Sequence, residues 1–117
     1  MAREALNQYE LKEKKFSVRF TESEYQDILN YCEKHRLNPS TFLRICVRDV
    51  HVDTESGLYD TDYIKKVTRE KVSNRGVIIH TRLSALTQNN LKKDAKIRGE
   101  KAGKLVGEAA VRRVLFY

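Results

Sequence analysis

Residues 14–29 read KKFSVRFTESEYQDIL, and the fold turns on how this stretch is parsed. Phe16, Val18 and Phe20 alternate with Lys15, Ser17 and Arg19, the period-2 signature of a half-buried strand. At Thr21 the rhythm changes. Thr21 is a good N-cap and Glu24, three residues on, completes a capping box. Tyr25, Ile28, Leu29 and Cys32 then fall at i, i+3, i+4 and i+7, one apolar helical stripe. A strand this short makes no sheet alone, so the rest of the chain must supply its partner.

The helix is expected to end near His35–Arg36, and Asn38-Pro39 starts another, Asn as cap and Pro at the first helical position. Phe42, Leu43, Ile45, Cys46, Val47 and Val50 form its apolar set, with a stop expected near His51. Residues 52–76 read as a connector: Asp53–Gly57 is loop-like, and 61–71 carry a possible short helix with Tyr63, Ile64 and Val67 inward. The first pattern then returns. VIIHTRL at 77–83 is a second strand, Ser84 a second cap, and Leu91 and Ala95 lie on a helical face. Gly99 ends that helix, and a last one runs from Lys101 to about Leu115 with Leu105, Val106, Ala109, Val111, Val114 and Leu115. Residues 1–14 mix charges without periodicity and read as a flexible N-terminal arm.

The two halves align without gaps at a constant offset: Phe16, Val18 and Phe20 fall on Ile79, Thr81 and Leu83, Thr21 on Ser84, Ile28 on Leu91, Phe42 on Leu105 and Cys46 on Ala109. Tyr25 on Gln88, Leu29 on Lys92 and Ile45 on Glu108 are mismatches. The pattern is that of a diverged duplication. The expected fold is mainly α with a short β-ribbon, with units at 15–51 and 77–117.

The chain of 117 residues has a net charge of +7, unevenly spread. Residues 76–117 hold nine Lys/Arg against three Asp/Glu, whereas 1–51 hold nine against eight. A basic face of this kind points to a polyanion, most simply nucleic acid, or else to a solvated helix surface. No run reaches the length of a membrane span and the N-terminus lacks a signal-peptide core, so a cytoplasmic location is expected. Cys32-x2-His35 and Cys46-x4-His51 have zinc-like spacing, but both cysteines fit apolar stripes, so no metal is expected. Without a glycine-rich phosphate loop, paired catalytic carboxylates or a nucleophile elbow, no enzyme activity and no cofactor are expected.

Strand, helix, turn and helix, carried by FSVRFT at 16–21, the Ile28/Cys32 stripe and LNPSTFLR at 37–44, resemble the ribbon-helix-helix family of Arc/MetJ-type DNA-binding proteins. The second copy, Val77–Leu115, is a weaker match. Tandem copies resemble accessory relaxosome proteins of conjugative plasmids. The resemblance implies two ribbon-helix-helix modules in tandem that bind double-stranded DNA through a ribbon in the major groove. The protein would act as a plasmid relaxosome accessory factor in conjugation, or in transcription regulation as a repressor. Lys15, Ser17 and Arg19, with Ile78, His80 and Arg82, would then face bases. Asn38, Ser40 and Thr41, with Lys101, Gly103 and Lys104, would hold phosphates at helix N-termini. Lys92, Lys93 and Lys96 would add sequence-blind grip. A homodimer or higher oligomer on DNA stays open. So does an alternative in which the first half binds DNA and the second is a protein-interaction module for a toxin or relaxase. RNA binding is disfavoured because neither strand turns aromatics outward.

Overall fold

The computed structural model describes residues 13–61 and 76–117, together with Ile64, Val67 and Arg69. Strand β1 (Lys14–Phe20) leads into helix α1 (Glu22–His35) and helix α2 (Pro39–Ser56), and a 3-10 turn follows at Leu58–Asp60. Strand β2 (Val77–Leu83), helix α3 (Ala85–Arg98) and helix α4 (Ala102–Phe116) complete the fold. The protein is mainly helical, with one antiparallel two-stranded sheet formed by β1 and β2.

Local signals explain most of these bounds. Thr21 Oγ1 accepts from the Glu24 amide at 3.1 Å and Glu24 Oε1 accepts from the Thr21 amide at 2.9 Å, a reciprocal capping box. Asn38 Oδ1 caps α2 by accepting from the Thr41 amide at 2.8 Å. Ser84 caps α3 through the Thr87 amide. Helices α1 and α3 both end on a left-handed residue, Arg36 (φ 55°) and Gly99 (φ 67°). Glycine adopts that conformation freely and arginine does so at a cost.

Ser17 and His80 lie 63 residues apart and face each other at the centre of the ribbon. Shifting β1, α1 and the start of α2 by that spacing gives the bounds of β2, α3 and the start of α4. The register obeys the same rule. Lys15 faces Arg82 and Arg19 faces Ile78, so each end of the ribbon holds the counterparts of the other end. Ser17 faces its own counterpart, which places a local pseudo-twofold axis between Ser17 and His80.

The core lies beneath the ribbon. Val18, Phe20, Ile79 and Leu83 point inward against Phe42, Leu43, Cys46, Leu105, Val106 and Ala109, all buried. Phe16 is half-buried at its margin. The two halves differ here in a compensated way. Thr81 is buried, and Ser40 Oγ donates to its Oγ1 at 2.9 Å, so the hydroxyl inside the core is satisfied. The counterparts of this pair are Val18 and Gly103, which need no bond.

Several expectations need correction. Helix α2 does not stop at His51 but continues through the segment expected to be loop, ending at Gly57 in the left-handed conformation. Packing holds the extra turn: Thr54 is buried and donates to the Val50 carbonyl at 2.8 Å, and Asp53 pairs with Arg112 of α4 at 3.6 Å. Burial raises the Asp53 carboxyl pKa, with Arg112 opposing the shift. One turn earlier, Asp49 takes a bidentate bond from Arg113 at 2.7 and 2.9 Å. Lys14, expected in the arm, belongs to β1. The remainder of the arm, 1–12, lies outside the described residues, as does most of the possible short helix at 61–71, including Tyr63. Helix α4 also turns a different face inward: Ala110 and Arg112 are buried, Val111 and Val114 only half so, and Leu115 is exposed.

The connector contributes one contact that no periodicity announces. Arg69 donates from Nε and Nη2 to the two carboxylate oxygens of Glu24, both at 2.8 Å, and from Nη2 to the Arg19 carbonyl at 3.0 Å. Its guanidinium lies over the Phe20 ring, 5.1 Å from the centroid, with the side chain only 6% exposed. It occupies the space in which Gly107 has no Cβ: a methyl there would overlap the Arg69 guanidinium. A methyl added at Gly103, by contrast, would meet no atom within 4 Å.

A double-mutant cycle tests this latch. Gly107→Ala should destabilise the protein by about 1–2 kcal/mol, since it strands Glu24 without its bidentate partner. In an Arg69→Ala background the same change should become neutral or stabilising by up to about 1 kcal/mol, the helix-propensity gain over glycine. Equal effects in both backgrounds, read by urea unfolding, would remove Arg69 from the role.

Candidate nucleic-acid interface

The outward face of the ribbon is short and almost wholly polar. Lys15, Ser17 and Arg19 project from β1, and Ile78, His80 and Arg82 from β2, because their alternate neighbours are committed to the core. All six are exposed, Ile78 at 40%. The register sets them in three facing rows: Lys15 with Arg82, Ser17 with His80, and Arg19 with Ile78. In the middle row Ser17 Oγ and His80 Nδ1 share a hydrogen bond of 2.7 Å. One end of the ribbon therefore carries two facing cations, which oppose folding, since like charges directly across a strand pair repel.

Beside that doubly basic end lies a cleft of about 400 Å³ lined by Glu13, Lys15, Ser40, Arg44, His80, Thr81 and Arg82. Ser40 brings the first turn of α2 to it, and Arg44 Nη2 donates to Thr41 Oγ1 at 3.1 Å. Pro39 has no amide hydrogen and the Thr41 amide is used by the Asn38 cap, so Ser40 carries the open amide of this turn. Arg44 was not among the residues expected to bind. It lies on the exposed side of an amphipathic helix, where charge alone gives no hint of what it faces.

The counterpart region differs in each part. Helix α4 starts at Lys101 with no capping side chain, so the amides of Ala102, Gly103 and Lys104 meet no cap. Lys104 Nζ donates to Glu100 at 3.0 Å, and this bond is the main cause of its raised pKa. The counterpart of Arg44 is Gly107, and the charge beside it comes from Arg69, already paired with Glu24. Lys92, Lys93 and Lys96 are exposed on α3. The cysteines set aside as metal ligands, Cys32 and Cys46, are free and buried. Burial pushes both thiols up, Cys46 strongly.

Among the described residues, no helix is long and apolar enough to cross a membrane. Comparison with known proteins gives no match to a family model, to a curated protein or to a solved structure.

The repulsion at the end of the ribbon is measurable. Lys15→Glu should face Arg82 with an opposite charge and stabilise the fold by about 0.5–1 kcal/mol. The gain should shrink as salt is added. A urea midpoint that stays level or falls in low salt would refute the repulsive pairing.

Proposed function

We propose that this protein binds double-stranded DNA sequence-specifically, laying the β1–β2 ribbon into the major groove with its outward face on base edges. The observation that carries the reading is the ribbon itself: six exposed residues in three facing rows, rich in donors, kept in register by a buried inner face. A two-stranded ribbon has the width the major groove admits. Lys15, Arg19 and Arg82 suit guanine O6 and N7, His80 with Ser17 offers both donors and acceptors, and Ile78 suits a thymine methyl.

Two helix N-termini flank the ribbon and support phosphate contacts of different kinds. Copy one presents Asn38, Ser40 and Thr41 with Arg44 at hand. Copy two presents the uncapped first turn of α4 with Lys101, Gly103 and Lys104. The ends of the reading head differ as well, two cations against one cation and an isoleucine, so the preferred site is non-palindromic. The protein acts by occupying that site without catalysis, as a repressor or as an accessory factor in relaxosome assembly on a conjugative plasmid. The pairing of β1 with β2 weighs against a second half that serves solely as a toxin- or relaxase-binding module, because the first strand would then lose its partner.

Arg19→Ala should lower affinity for the selected site by ~1–3 kcal/mol while sparing most binding to random duplex. Equal loss on both would sink its base-reading role. Lys101→Ala with Lys104→Ala should weaken all duplexes alike and reduce the salt slope by roughly 2. Selection of bound duplexes from a random pool reports the site and its symmetry together, and a palindrome would count against the asymmetric head.

A further inference from the structure

A carboxylate is buried where the duplicated half keeps an apolar contact. Asp94 of α3 is 1% exposed. His51 Nδ1 of α2 lies 3.1 and 3.2 Å from its two oxygens. A carboxylate only accepts, so the imidazole donates and both oxygens share one N–H. Among the described residues no other donor reaches Asp94. The counterparts of Asp94 and His51 are Tyr31 and Val114, both packed against the core. A buried carboxylate accepts up to about four hydrogen bonds and is costly with fewer, so this replacement is unfavourable unless more positive charge arrives.

A third group completes the set. Glu55 lies one helical turn beyond His51 on the same face of α2, and ligand atoms of His51, Glu55 and Asp94 all fall within 4.8 Å of one another. We propose that these three residues bind a divalent transition-metal ion, zinc by preference, which joins α2 to α3. One imidazole and two carboxylates suit zinc, with water as the fourth ligand. Metal–ligand bonds of about 2.0–2.2 Å require tetrahedral donors roughly 3.5 Å apart, which the exposed Glu55 meets by a change of rotamer. On binding, the proton on His51 Nδ1 leaves to solvent and zinc takes its place between imidazole and carboxylate. The two carboxylates balance the ion's charge. A cleft of about 250 Å³, lined by His51 of α2 and by Asn90 and Asp94 of α3, opens towards the pair. Arg44 and Arg48, on α2 before His51, also line this cleft and oppose cation entry, which makes the acidic Glu55 the deciding ligand.

The test uses the full chain, stripped with EDTA and titrated with zinc chloride by calorimetry and thermal unfolding. One ion should bind per chain, and Tm should rise by about 4 °C or more at saturating zinc. Glu55→Gln should leave the metal-free Tm unchanged. It should weaken zinc by at least about tenfold, since even the loss of an outer-sphere partner costs that much. His51→Ala should abolish binding, and cobalt should give a visible d–d band in the wild type that is absent from Glu55→Gln. No zinc-dependent change in Tm, or an equal change in Glu55→Gln, would leave His51 and Asp94 as a hydrogen-bonded pair alone and overturn the site.

Discussion

A seven-residue strand in water has nothing to hold it flat unless another strand satisfies its amides and carbonyls, and here that other strand lies far along the chain. Everything else follows from meeting this demand within one molecule. Because β1 pairs with β2, their inner faces merge into one floor for the core, and the four helices close over it. Because the pairing is antiparallel and centred on Ser17 and His80, α1 and α3 leave the ribbon from opposite ends, and α2 and α4 return to bury Phe42 and Leu105 beneath it. The outer face is what remains once the inner face is spent. Its charges meet solvent, or a polyanion, by exclusion from the core.

Much of this was legible in the residues. Alternation marked both strands and which side chains turn inward, Val18, Phe20, Ile79 and Leu83, although the outward Ile78 runs against the pattern in the second. Capping chemistry located the helix starts within a residue, because Thr21, Asn38 and Ser84 each precede a run that can use the cap. The spacing between the halves narrowed the register without choosing it: a local twofold sets a residue against its own counterpart, and the structure selects Ser17 with His80.

What escaped the sequence depends on contacts between segments far apart. Asp53, Thr54 and Glu55 look like turn formers in isolation, and only Arg112 and the groove that buries Thr54 make them helical. Arg69 sits in a stretch with no period, and its use as a latch depends on Glu24, on the Phe20 ring and on a missing methyl at Gly107. His51 and Asp94 carry no mutual signal, since a histidine and an aspartate on separate helices meet only once the helices are placed. Arg44 escaped for the opposite reason: an exposed arginine is ordinary, and its meaning comes from Lys15 and Arg82 nearby. Alternation and capping are therefore more legible than the ionic chemistry laid over them.

The ribbon also dictates an order of events during synthesis. A ribosome delivers the first half well before the second, at roughly 5–20 residues per second, so β1, α1 and α2 spend seconds without β2. Over that interval the inner faces of Val18, Phe20 and Phe42 have only half a core, and the edge of β1 is open to any strand that meets it. Chain closure over so long a separation is slow compared with helix formation. A neighbouring nascent chain offers the same β1 sequence at that edge, and it competes with the β2 that has yet to emerge. Having both strands in one chain resolves the competition by concentration, since a tethered β2, once made, sits far closer than any neighbour.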